Sequence, residues 1–242
     1  PVIAARMKEA IRNGAKLIVA NPKEIELCKF ANMFLQHKPG TDVPLMMGMA
    51  RVIIDERLHD ESFIKEGTEN YEAFRKSLDN YALDFVEKIT GVPANKIKKA
   101  ARLYAKNKPG GIFYAMGITQ HTHGTENVLA TSNLALLTGN IGIASAGVNP
   151  LRGQNNVQGA CDLGALPNVY PGYQKVTDLD AKKKFEIAWN CSLDGENGLT
   201  HVEIFDAIGK GNVKALYQVG ENPVLSEADA NHVKEADRKS VV

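Results

Sequence analysis

Three short apolar runs, at residues 16–20, 110–116 and 213–219, each stop at a polar turn holding Gly or Pro, and a helix-period segment follows each turn. Runs this short and mostly apolar suit strands buried in a parallel sheet. A fourth, at residues 33–36, follows a short helical stretch at 24–32. Strand–turn–helix repeated in this way predicts an open, mostly parallel sheet flanked by helices, an α/β architecture. In such sheets ligands lie beyond the carboxyl ends of the strands. Those ends carry Asn21-Pro22 together with His37–Asp42, the 116–125 turn and Gly220–Pro223.

The helices are predicted from period and punctuation. Residues 2–13 carry an apolar stripe that ends at Gly14. Residues 43–57 are apolar on nearly every side of their first half, which marks a buried helix; Met46, Met47 and Met49 read there as core, with no Cys or His beside them to make a soft-metal site. Residues 59–108 form short amphipathic pieces, the cleanest at 93–106 with Pro93 early and cations at its end. Helices are also expected at 126–137, 182–189, 202–209 and 226–238, the last capped by Ser226.

Residues 147–172 have neither a helix nor a strand period and are crowded with Gly, Asn, Gln and Pro, with Arg152 and Asp162 as the charges. A loop this long inside a compact domain is uncommon unless it serves a purpose. Its donors, acceptors and permissive backbone suit a large polar ligand, with Arg152 as the fixed cation.

Composition excludes several classes. The formal net charge is +1 over 242 residues, so no global field points to nucleic acid or an anionic membrane. No run approaches the roughly 18 apolar residues of a membrane-spanning helix, and no signal-peptide pattern opens the chain. Cys28, Cys161 and Cys191 are too far apart for a zinc or iron–sulfur motif, and they read as small buried hydrophobes in a reducing, cytoplasmic compartment. His121 and His123 stand on the 116–125 turn without a third metal ligand at suitable spacing. No GxGxxG or P-loop lysine is present.

The segment GVNPLRGQNNVQGACDLGALPNVYPGYQ resembles the hallmark stretch of formate dehydrogenase catalytic subunits, in the molybdopterin oxidoreductase family. MGITQHTHGTENV, LALLTGNIG and VGENP resemble that family in the same order. The resemblance implies a Rossmann-like αβα sandwich in two lobes, residues 1–152 and 153–242, each part of a domain that holds one molybdopterin guanine dinucleotide. It implies formate oxidation to CO2, or the reverse, at a molybdenum or tungsten bis-MGD centre. By position, the family's cofactor contacts fall on Asn21, Pro22, Gly40, Thr41, Asp42, Met116, Gly117, Gln120, Gly153, Gln154, Gly220, Glu221 and Asn222. Relatives often carry Asp-Pro-Arg where Asn21-Pro22-Lys23 stands, which removes a carboxylate from that turn. Arg152 matches the arginine facing the substrate pocket, where a guanidinium would hold formate by both oxygens. No residue here is assigned as a metal ligand. The family's 4Fe-4S cysteines and its Cys-His or Sec-His pair match nothing in this sequence, so the chain is expected to be a central fragment, inactive alone, whose full subunit works with electron-transfer partners carrying iron–sulfur or flavin. Two other readings remain at this point: a cofactor-binding module without turnover, and a different reaction of the same superfamily such as nitrate reduction.

Overall fold

Helix α2 (Asp42–Asp55) organises the first part of the chain. Leu45, Met47, Met49, Ala50, Val52 and Ile53 are all buried in it, so it is wrapped on most sides, as its apolar sequence requires. Around it pack α5 (Leu83–Thr90), α6 (Ala94–Lys106) and α8 (Gly124–Leu137). On α6 the buried residues are Ile97, Ala100, Ala101 and Ala105, one stripe at helical spacing, and small side chains let α2 approach closely. Gly48 does the same toward α5, where Val86 sits against it. The buried hydroxyls of Thr90, Thr131 and Thr138 bond to carbonyls one turn back, at Val86, Asn127 and Leu134, so these three hydroxyls are not buried unpaired.

The computed structural model describes residues 2–227 and 229–237, and the described chain divides into two compact units, Pro1–Leu151 and Arg152–Val242. The first unit opens with α1 (Val2–Arg12), followed by β1 (Ile18–Ala20), a 3-10 turn at Glu26–Phe30 and β2 (Met33–Leu35), which runs parallel to β1. After α2 come α3 (Glu61–Gly67), α4 (Tyr71–Ser77), α5 and α6. Next are β3 (Gly111–Tyr114), α7 (Met116–Thr119), α8 and β4 (Gly147–Pro150). β4 pairs parallel with β3 in the register Gly111↔Gly147 to Tyr114↔Pro150. Each parallel pair is joined by a helical crossover, the connection parallel strands need.

The second unit holds α9 (Val157–Asp162), a small antiparallel pair β5 (Val169–Tyr170) and β6 (Gln174–Lys175), α10 (Leu179–Trp189), α11 (His201–Gly209), α12 (Pro223–Ser226) and α13 (Ala230–Asp237). Its apolar contacts fall into two groups. Tyr170, Val176, Ala181 and Phe185 form one; Phe205, Ile208, Val233 and Ala236 form the other. Asp178 caps α10 by accepting from the amides of Asp180 and Ala181, and Thr200 with Glu203 makes a reciprocal capping box on α11.

The mixed α/β class expected from the sequence is present, with its strands in short pairs. Four local readings need correction. The 147–172 stretch is not all loop, because residues 147–150 are β4 and residues 157–162 are helical. At residues 213–219 a β-bridge residue, Ala215, stands where a longer strand is expected among the described residues; Val213 and Leu216 pack on the Phe205–Ile208 group, while Tyr217 and Val219 are 92% and 77% exposed. Ser226 ends α12 instead of starting the last helix, and Asp229 takes the capping role by accepting from the amides of Asn231 and His232. The cysteines are not core residues: Cys28 and Cys161 are half-buried and Cys191 is exposed. The part of the last expected helix beyond residue 237 lies outside the described residues.

Candidate functional site

The parallel registers decide where the polar turns emerge. Ala20 pairs with Leu35 at the ends of β1 and β2, and the Asn21 amide donates to the Leu35 carbonyl at 3.2 Å. Asn21-Pro22 and Gln36-His37 therefore leave the same carboxyl edge. The Asn21 side-chain oxygen accepts from the Lys23 amide at 2.8 Å, and the Gln36 amide donates to the Pro22 carbonyl at 3.0 Å, which orders this turn from within. The chain then reaches Gly40, whose φ of 74° needs glycine, and Thr41, whose hydroxyl donates to the Lys38 carbonyl at 2.6 Å. Asp42 opens α2 and is buried, with His37, also buried, at 3.6 Å from its carboxylate. That separation is too long for a hydrogen bond, and among the described residues the Asp42 carboxylate accepts none.

The β3–β4 edge is built likewise. The Leu151 amide donates to the Tyr114 carbonyl at 2.7 Å, one residue past the ladder. Met116 is 56% exposed, and Gly117 and Gln120 are exposed. Their turn is fixed from behind by α8. A Cβ on Gly124 would lie 2.1 Å from the Thr119 carbonyl oxygen, so only glycine lets α8 start there. The buried Asn127 amide donates to the Ile118 carbonyl at 2.9 Å. His121 turns back to the Gly117 carbonyl, 2.9 Å from its Nε2, and His123 is exposed. Neither belongs to a group of potential metal ligands among the described residues.

In the second unit Arg152, Gly153 and Gln154 are exposed. Arg152 Nε donates to the Gln158 side-chain oxygen at 3.1 Å. The Gln158 nitrogen donates in turn to Asp162 and to the Tyr173 hydroxyl, each at 2.9 Å. Among the described residues no carboxylate lies within 4.0 Å of the Arg152 guanidinium, so its charge has a neutral partner only. Gly220, at φ 72°, turns the chain into Glu221 and Asn222, and the Asn222 carbonyl starts α12. Glu221 accepts from the Ser226 hydroxyl at 3.0 Å. It lies beside His201 and Glu227, themselves 3.0 Å apart, with one ligand atom of each residue within 4.8 Å of the others.

The expected residues thus occupy polar turns following strands or, for Gly220–Asn222, the extended 213–219 run. Within the first unit the registers bring together Asn21 and Pro22 with the start of the Gly40–Asp42 turn. The residues that sequence reading missed are Gln158 and Tyr173. The spacing of Gln158 and Asp162, four apart on a helix, is a readable signal for the first; nothing local announces the other.

The model of the molybdopterin oxidoreductase family matches residues 1–242. The chain belongs to the molybdopterin oxidoreductase family. It is 48% identical over 236 residues to the F420-dependent formate dehydrogenase subunit alpha of Methanocaldococcus jannaschii, covering 98% of this chain and 35% of that protein. It is 45% identical over 237 residues to formate dehydrogenase H of Escherichia coli K12, covering 98% and 33%. The chain thus spans about a third of the length of these curated relatives. Acetylene hydratase from Pelobacter acetylenicus shares the fold, with a TM-score of 0.71 at 22% identity, over 98% of this chain and 35% of that one. No helix among the described residues is long and apolar enough to cross a membrane.

Proposed function

We propose that this chain is part of the catalytic subunit of a cytoplasmic formate dehydrogenase, with Arg152 as the formate-binding residue and the polar turns as supports for a molybdenum or tungsten bis-MGD centre. The identity to formate dehydrogenases over nearly the whole chain supports the substrate class. The observation that carries the reading is the Arg152 guanidinium, charged, exposed and, among the described residues, paired only with a neutral amide. A carboxylate can take both of its outer nitrogens at once.

The residues present fit the cofactor. A guanine edge offers N–H donors, and the Asp42 carboxylate, with His37 at 3.6 Å and no hydrogen bond from another described side chain, has acceptor sites to offer them. A Cβ on Gly40, Gly117, Gly153 or Gly220 would meet nothing within 4 Å, so the turns leave backbone open for a ligand. In this reading Asn21, Pro22, Gly40, Thr41, Asp42, Met116, Gly117 and Gln120 serve one lobe, within residues 1–152. Gly153, Gln154, Gly220, Glu221 and Asn222 serve the other, within 153–242. The bound centre supplies a two-electron acceptor. Formate gives up two electrons and one proton to become CO2, and Arg152 contributes by fixing the carboxylate so that its C–H bond faces one way. A 4Fe-4S cluster and partner subunits with iron–sulfur or flavin would carry the electrons onward, and residues 1–242 alone would not turn over.

Arg152→Ala in the cofactor-loaded holoenzyme should cost about 2–5 kcal/mol in kcat/KM for formate, thirty-fold or more, the loss found when one partner of a charged, hydrogen-bonded pair is truncated. Arg152→Lys keeps the charge and loses the fork, and should recover only part. Formate kinetics unchanged in Arg152→Ala would remove the residue from this role. A fully loaded wild-type holoenzyme without formate-dependent dye reduction would mark a binding module instead.

A further inference from the structure

We propose that Gln158 is a positioning residue for Arg152, holding the guanidinium at Nε so that its two Nη groups present end-on to a carboxylate; this rests on the reading of Arg152 as the formate anchor. The Gln158 side chain has one acceptor end and one donor end. Its nitrogen donates to Asp162 Oδ1 and to Tyr173 Oη, both at 2.9 Å, so both amide hydrogens are used. Reversing the amide would set its oxygen against the Asp162 carboxylate, acceptor to acceptor. The oxygen is therefore held toward Arg152, where it accepts from Nε at 3.1 Å. With Nε occupied, the Nη edge is the one left for two parallel hydrogen bonds to a substrate. Asp162 meanwhile stands behind a neutral amide, outside ion-pair distance of Arg152, so it anchors the chain of bonds without neutralising the cation.

The test is steady-state kinetics of the holoenzyme with Gln158→Leu, Gln158→Glu, Tyr173→Phe and Arg152→Ala, each matched to wild type for metal and pterin content. Gln158→Leu should raise the formate KM about ten-fold, the worth of one hydrogen bond to a charged group, with kcat within about two-fold. Tyr173→Phe releases one of the two anchors and should raise KM about two-fold. Gln158→Glu is nearly isosteric, but it loses both donors and sets a second carboxylate beside Asp162. A glutamate would pair with the guanidinium and compete with formate, so its KM should exceed that of Gln158→Leu. If Arg152→Ala raises KM while Gln158→Leu does not, or if Gln158→Glu behaves as wild type, the positioning role is overturned and Arg152 keeps its own. If Arg152→Ala leaves KM unchanged, the underlying reading is what fails. All three side chains are exposed, and Tyr173→Phe and Gln158→Glu barely change volume, so a folding defect in one variant leaves the others to decide.

Discussion

Asp60 gives the clearest quantitative handle on the first unit. Its carboxylate accepts from Lys108 Nζ at 2.9 Å, from the Phe63 amide at 3.1 Å and from the Ser62 hydroxyl at 2.9 Å. These bonds, Lys108 foremost, then Phe63, then Ser62, pull its pKa from 3.8 to about 2. The group is therefore charged and stabilising above the unfolded value, and that stabilisation is lost as the pH falls toward the folded one. At about 1.4 kcal/mol per pH unit the gap amounts to about 2.4 kcal/mol. The Asp60 side chain is 29% exposed and Lys108 is 37% exposed, so solvent screening brings the figure to about 1–1.5 kcal/mol. Asp60→Asn keeps an acceptor for the cap and removes the charge. Urea denaturation followed by far-UV circular dichroism should show the variant less stable by about 1–1.5 kcal/mol at pH 6, by roughly half that at pH 3, and equal to wild type near pH 2. Lys108→Met should cost a similar amount in the wild type and almost nothing in the Asp60→Asn background. A penalty that stays constant between pH 6 and pH 3, or zero coupling to Lys108, would refute the assignment.

Two further substitutions test the packing around α2 and α8. Gly48→Ala would bring a Cβ to 2.9 Å from Val86 Cγ1, on a fully buried β-branched side chain that cannot swing aside. Overpacking of about 1–3 kcal/mol outweighs the gain of about 1 kcal/mol in helix propensity, and adding Val86→Ala should remove the clash; a stabilised single variant in urea denaturation would contradict the close approach of α2 and α5. Asn140 is fully buried, accepts from the Gly110 amide at 2.9 Å and donates to the Thr138 hydroxyl at 2.8 Å. Beside it, burial pushes the Tyr104 hydroxyl pKa up, partly offset by Thr138 and Asn140. Asn140→Leu should cost about 2 kcal/mol, chiefly by leaving the Gly110 amide without its acceptor while the Thr138 hydroxyl keeps its bond to the Leu134 carbonyl, and a neutral result in the same assay would show that Gly110 finds another.

The elements legible in the sequence are those whose own side chains determine them. Helix α2 announced itself because an apolar segment that long must be wrapped, and α6 because Ile97, Ala100, Ala101 and Ala105 fall on one stripe. Strand β4 did not, because of Gly147, Val148, Asn149 and Pro150 only Val148 favours a strand; β3 makes them one by pairing with them. At 213–219 the described residues show a β-bridge at Ala215 in place of the longer strand that apolar composition suggests. Asp229 and Ser226 are both good caps by type, and sequence could not choose between them, because the choice depends on where Pro223 starts the preceding turn.

The site divides along the same line. Positions of glycines and polar residues after strands were readable, since chain direction and parallel pairing carry them to one edge. The electrical state of Arg152 was not. Asp162, ten residues on and the single carboxylate of its loop, is the partner that sequence alone suggests for the cation. The short helix α9 places Gln158 between them, and the amide bonds to both. A direct ion pair would hold the guanidinium equally firmly but would neutralise it and fill the face a substrate carboxylate requires. An amide at that point fixes direction while leaving the charge intact. That difference is why replacing Gln158 by its nearly isosteric acid should be more damaging than replacing it by a hydrocarbon.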